Sequence, residues 1–170
     1  MVAPPGASAL TTLGPLEAFD VANRFLAARG RPPLYRLVLA SVGPVAVTSV
    51  GVELRATPVA ELDPVHTLIV GGGPELPEHA LDAALVREVG RLSARATRVV
   101  SVCGGAFVLG ALGLLDGRRC TTHWLWVDAL RERFPEARVE PDAIYTADGP
   151  IWTSAGVTAG VDLALQLIRS

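Results

Sequence analysis

Thr97-Arg98-Val99-Val100-Ser101-Val102-Cys103-Gly104-Gly105-Ala106 is the stretch that decides the fold. Its β-branched run reads as a buried strand. The strand passes without a polar loop into two glycines and then into an apolar helix that reaches about Leu112. A strand that turns this sharply into a helix exposes the turn residue at the carboxyl edge of a sheet, and small neighbours let the turn close without a clash. Cys103 holds that position.

Upstream, the pattern repeats. His66-Thr67-Leu68-Ile69-Val70 runs into Gly71-Gly72-Gly73, a second buried strand ending in a glycine turn. Between the two strands, Leu81, Leu85, Val89 and Leu92 step by four, four and three, which marks one face of a crossover helix over Glu78 to Ala94. Earlier still, Tyr35 to Ala40 reads as a strand, and Val45 to Thr57 as two short extended pieces. A first helix is expected to follow Gly14-Pro15, since Pro suits a first turn and Leu16, Phe19, Phe25 and Leu26 return at roughly helical spacing. It should stop near Gly30. Met1 to Gly6 is too short for a normal first strand.

Downstream, a helix through Trp124, Val127 and Leu130 is expected to reach Phe134, followed by a β-hairpin turning at Asp148-Gly149. The last helix, Val157 to Ile168, is apolar nearly all round and must be buried in the fold or against a partner. Strands alternating with helices give an α/β fold, a mostly parallel sheet with helices on both faces.

Composition sets the outer limits. The 170 residues suit a single domain, and half of them are apolar. A mean hydropathy of +0.39 raises the question of a membrane, but no apolar run reaches the roughly 18 residues a spanning helix needs. The net charge of −2 lacks the basic footprint of a self-sufficient nucleic-acid binder. All 15 basic residues are arginine, which reads as a compositional bias. Cys103 and Cys120 could form at most one disulfide, and the N-terminus has no secretory pattern, so free thiols in the cytoplasm are expected.

Two readings of Cys103 stand side by side: a buried structural thiol, or a reactive one. The helix after it points unpaired N–H groups and its positive end at the sulfur, which would lower the thiol pKa. Those amides, with Gly72 or Gly73 from the neighbouring strand, could hold an oxyanion. His123 lies in an apolar, aromatic setting and could serve Cys103 as base or ion-pair partner. His66 and His79 begin elements and are expected to face solvent. Metal ligation is not expected, because no Cys/His spacing supports it, and neither glycine run completes a phosphate loop. No cofactor is called for, and Cys120 reads as an apolar filler.

With these motifs in place, the chain resembles the ThiJ/PfpI superfamily over essentially its whole length. The carriers are Gly14-Pro15-Leu16-Glu17, Ile69-Val70-Gly71-Gly72-Gly73, Ser101-Val102-Cys103-Gly104-Gly105-Ala106 and Gly113-Leu114-Leu115-Asp116-Gly117-Arg118-Arg119. Thr121-Thr122-His123-Trp124 and Thr153-Ser154-Ala155-Gly156-Val157-Thr158-Ala159-Gly160-Val161-Asp162 complete them. The last two blocks are similar to the branch that holds the N-terminal domains of AraC-type regulators and the isocyanide hydratases. The resemblance implies a class I glutamine-amidotransferase-like, flavodoxin-type three-layer sandwich with a nucleophile-elbow cysteine, formed by residues 1–170 as one domain. The helix-turn-helix units of such regulators would lie outside it.

The resemblance also implies a pair, Cys103 as the reactive residue and His123 twenty positions later. The family's third residue is an acid near the cysteine sulfur. Its matching position here is Thr11, which cannot take a proton near neutral pH. Gly104 stands where this branch usually has Thr, and Gly71 where a proline is common. The first expectation is therefore a ligand-sensing domain of an AraC-type regulator. It would bind a small molecule at the Cys103/His123 pocket with Gly72, Gly73, Gly104 and Thr11 around it, dimerise, and leave DNA contact to another module. The second is a small cysteine enzyme, a hydratase or hydrolase, in which Cys103 attacks an electrophilic carbon and His123 moves the proton. A redox-sensing thiol is the third.

Overall fold

The computed structural model describes residues 1–74, 76 and 80–170. After α1 (Ala9–Ala27) come the short strands β1 (Ala40–Ser41), β2 (Val45–Val47), β3 (Glu53–Arg55) and β4 (Thr57–Pro58). The central βαβ unit is β5 (Thr67–Val70), α2 (Ala83–Ser93) and β6 (Arg98–Val102), and α3 (Gly105–Ala111) follows directly. Then come β7 (Arg119–Cys120), α4 (Val127–Arg133), β8 (Arg138–Val139), the hairpin β9 (Tyr145–Asp148) and β10 (Ile151–Ser154), and α5 (Ala159–Arg169).

Period-two burial along β5 and β6 builds the layers. Leu68, Val70 and Val99 join Leu85, Val89, Leu92 and Phe107 of α2 and α3 in one cluster. Ile69, Val100 and Val102 join Phe19, Leu163 and Leu167 of α1 and α5 in the other. Each of these fully buried large side chains contributes roughly 1.5–3 kcal/mol. The expected three-layer arrangement is thus present, with β5, β6 and β10 parallel and β9 antiparallel at the edge.

The first strand is reduced to a single residue. Val2 bridges in parallel to Ala40 on one side and to Val70 on the other, and so joins β1 and β4 to the main sheet. Tyr35 to Leu39, expected as part of a strand, accordingly runs past a gap, and ladder pairing on this stretch begins only at Ala40.

Several boundaries differ from expectation. α1 begins at Ala9, so Gly14 and Pro15 are buried inside it rather than opening it. Pro15 has no N–H for the Thr11 carbonyl. The hydroxyl of Thr12 turns back to the Ser8 carbonyl (3.0 Å). Phe25 is 57% exposed beneath the Arg29 guanidinium instead of facing the core. α2 begins at Ala83, where the Asp82 side chain accepts from the Leu85 N–H (2.8 Å). The expected start at Glu78 and the placement of His79 lie outside the described residues, whereas His66 is exposed as expected. α5 is one-sided, burying Leu163, Ala164 and Leu167 against the sheet and α1 while Leu165 is half-exposed. The hairpin turns where expected, with Gly149 at φ +60. No described helix is long and apolar enough to cross a membrane.

Candidate functional site

At the carboxyl edge of the sheet, β6 turns into α3 through Cys103, whose φ of +56 is the left-handed conformation that costs a non-glycine residue about 1 kcal/mol or more. Contacts on every side hold it there. The Cys103 N–H lies 3.1 Å from both the Ser154 and Ala155 carbonyls, and its own carbonyl accepts from the Thr122 hydroxyl (2.9 Å). The β5 turn packs against the same corner: a Cβ on Gly72 would collide with the backbone nitrogens of Gly104 and Gly105. Glycine at 72 is therefore a packing requirement of the turn.

Cys103 is 6% exposed. Burial pushes its thiol up from the ordinary value, and the Gly104 amide, which favours the thiolate, pulls the other way with less effect. The expected lowering is thus reversed in direction. α3 is a short helix, and what its end offers the sulfur does not offset the loss of water. Cys120, fully buried in the α2/α3 cluster as expected of a filler, is pushed up to about 11 by burial and by the Glu140 charge. Both cysteines are free thiols.

His123 is placed by what precedes it. Thr121 donates its N–H to the Thr153 hydroxyl of β10 (2.7 Å), and Thr122 reaches Cys103, so the segment is tied across the sheet end. His123 then caps a 3-10 turn, its Nδ1 accepting from the Leu125 N–H (3.3 Å), which leaves the proton of a neutral ring on Nε2. The ring packs so closely on Gly156 that a Cβ there would collide with Cδ2.

Cys103 and His123 therefore meet the same segment from two sides. The Cys103 N–H reaches Ser154 and Ala155, the His123 ring covers Gly156, and no hydrogen bond joins the two side chains among the described residues. An open cavity of about 400 Å³ lies on the His123 side, lined with Ile144, Val157, Thr158 and Asp162 among others. Cys103 is not on its wall. Sequence reasoning placed the pocket between Cys103 and His123 and did not single out these four residues, although Val157, Thr158 and Asp162 sit in the block quoted for the resemblance.

Thr11 is fully buried in the first turn of α1, not in a loop before it. Its hydroxyl lies 2.6 Å from the Gly72 carbonyl and 2.9 Å from that of Ser8, and donates its one proton there. The Gly72 carbonyl also takes the Ser8 N–H (3.0 Å). Thr11 thus fastens α1 to the β5 turn. Gly73 packs on Gly6 and Gly104 faces Gly73 and Leu76, so the glycine positions named from sequence converge on one corner.

The profile described as the DJ-1/PfpI family matches residues 18–170. The HTH-type transcriptional regulator CdhR of Pseudomonas aeruginosa is 37% identical over 166 residues, 96% of this chain and 47% of the regulator. The isonitrile hydratase of Pseudomonas putida is 39% identical over 125 residues, 72% of this chain and 53% of the hydratase. The chain thus spans about half the length of both curated relatives. Among solved structures, an AraC family transcriptional regulator from Pseudomonas putida superposes with a TM-score of 0.83 at 25% identity, over 99% of this chain and 88% of that one.

Proposed function

The chain belongs to the DJ-1/PfpI family, and on that premise we propose that it is a ligand-sensing domain of an AraC-type transcriptional regulator, binding a small molecule in the cavity beside His123. The observation that carries this reading is Thr11. Where the resemblance calls for an acid next to the cysteine, the chain has a hydroxyl that is committed to the Gly72 carbonyl. A cysteine cycle would have to run without that acid and from a thiol that burial holds protonated. Binding needs neither. The regulators among the relatives and the solved regulator structure support the same reading.

In this role the cavity takes the ligand between His123, Ile144 and the 155–159 segment, with Asp162 as its charged group. Gly72, Gly73 and Gly104 hold the corner in shape, and Cys103 anchors it. The domain works as a homodimer in the cytoplasm; half-exposed Leu10, Val21, Phe25 and Leu165 on α1 and α5 offer apolar surface for the contact. With a net charge of −2 it leaves DNA contact to another module.

The strained φ of Cys103 favours a second reading, a cysteine hydratase, because strain in a left-handed turn is a common mark of a nucleophile. One experiment separates the two. The chain is incubated with an alkyl isocyanide while formamide production and His123 ring signals in NMR are followed, and a small-molecule set is screened by the same NMR signals. Saturable shifts of the His123 signals without turnover are expected. Turnover that disappears in Cys103→Ser would overturn the sensor reading.

A further inference from the structure

β7 carries the chain toward His123, and its two edges are held by different means. On one edge the carbonyls of Arg118 and Cys120 accept from the N–H groups of Arg138 (2.9 Å) and Glu140 (2.8 Å), in a parallel ladder with β8. Residues 119 and 121 turn their main-chain groups to the opposite edge, as alternation along a strand requires. There, side chains of the β9–β10 hairpin take the place of a neighbouring strand. The Arg119 N–H donates to the Asp148 carboxylate (3.0 Å), and the Arg119 carbonyl accepts from the Thr146 hydroxyl (3.3 Å). The Thr121 N–H donates to the Thr153 hydroxyl (2.7 Å).

Register explains where these hydroxyls come from. Thr153 lies opposite Thr146 on β9 and opposite Ser101 on β6, so the three form one row across the face that also carries Val99 and Ile151. All three are buried. Thr146 gives its one proton to the Arg119 carbonyl, so the 2.7 Å contact between Thr146 and Thr153 uses the proton of Thr153. The lone pairs of Thr153 are left for Thr121. The Ser101 hydroxyl has no hydrogen-bond partner among the described residues, and so does not compete for Thr153.

We infer that Thr153 is the positioning residue of the cavity beside His123: its hydroxyl, the last side-chain support before the ring, sets where the imidazole stands against Gly156. Thr121 lies just before His123, and Gly156 lies just after Thr153. The end of β10 and its continuation thus anchor the main chain ahead of the ring and also receive the ring itself. A valine at 153 keeps the shape and removes the acceptor. The buried Thr121 N–H is then left unpaired, and displacement of the 121–123 segment toward solvent is the route by which it regains a partner. A serine keeps the acceptor. The role rests on the sensor reading, in which His123 walls the ligand cavity.

The test compares Thr153→Val, Thr153→Ser and Ser101→Ala in the full chain. Two readouts follow the ring: the NMR contact between His123 Hδ2 and the Gly156 α-protons, and carbethoxylation of His123 by diethyl pyrocarbonate, read by mass spectrometry. Thr153→Val is expected to lose the contact and to raise the carbethoxylation rate by about threefold or more, the scale of one net hydrogen bond. Thr153→Ser and Ser101→Ala are expected to keep the contact and to stay within about twofold of the unsubstituted chain. In that chain the Thr121 amide is expected to exchange more slowly than an exposed amide, by about a hundredfold or more, a measurement that stands even if Thr153→Val does not fold. An unmoved ring in Thr153→Val, the same loss in Thr153→Ser or Ser101→Ala, or free exchange at Thr121 would overturn the proposal. None of these readouts contains a ligand, so a failed ligand screen would count against the sensor reading and leave the Thr153 result standing.

Discussion

The two ends of the central sheet are built on opposite terms. At the carboxyl end, β5 and β6 close backbone on backbone: Gly72 lies against Gly104 and Gly105, and Cys103 is held by Ser154, Ala155 and Thr122. At the amino end the same strands border a groove of about 660 Å³, beside which Val2 bridges Val70 and Ala40. The crowded end tolerates a strained cysteine because its neighbours over-determine it. The open end is bordered by apolar side chains, Leu37, Val65 and Ile168 among them.

The largest expected effect lies at the open end. The Met1 amine ionises near 5 when folded and near 8 when unfolded. The unfolded chain takes up the proton first as pH falls, so stability is full above pH 8 and declines toward pH 5, by on the order of 4 kcal/mol. Urea midpoints at pH 8 and pH 5, with an N-acetylated chain as reference, check this. Equal losses in the two chains would mean that the amine is not buried.

The crowded end is sharpened by Gly72→Ala. The added methyl meets the Gly104 and Gly105 nitrogens, and a loss of about 2–3 kcal/mol is expected in urea unfolding. A loss below about 0.5 kcal/mol would show that the corner has room and would erase the contrast between the ends.

A smaller effect isolates the strain. Cys103→Gly is expected to be about 1 kcal/mol more stable than Cys103→Ala, the reverse of the usual order, because glycine accepts the positive φ. The normal order would remove strain from the description of the turn. Last, the alkylation rate of Cys103 by iodoacetamide is expected to exceed that of Cys120 and to rise through a midpoint above that of an ordinary free thiol, as burial pushes its thiol up. A midpoint near 7 would restore the activated thiolate.

The parts legible from sequence were those written in local pattern. A β-branched run meeting two glycines located the Cys103 turn, and the spacing of Leu85, Val89 and Leu92 located α2 and its buried face. What was not legible depended on contacts distant in sequence. Gly14-Pro15 looks like a helix start, yet it sits mid-helix because α5 needs a thin surface there: a Cβ on Gly14 would come within 3.0 Å of Val161. Tyr35 to Leu39 has strand composition, but a ladder needs a partner and Val2 supplies only one residue. The direction of the Cys103 shift turned on desolvation, which a motif does not express. Thr11 was rightly noticed as a missing carboxylate; that its proton goes to Gly72 required the fold.

The two peptide bonds flanking Cys103 have a mechanical consequence. The N–H of this residue is tied to the 154–155 segment that leads to Gly156, and its carbonyl to Thr122, the residue before His123. Both tethers lead to the rim of the same cavity. In the proposed sensor, a molecule that spreads His123 from Gly156 would load the turn from both tethers, through the main-chain atoms of Cys103. The sulfur is outside that line of force, so a chain with alanine at 103 would still feel the cavity fill.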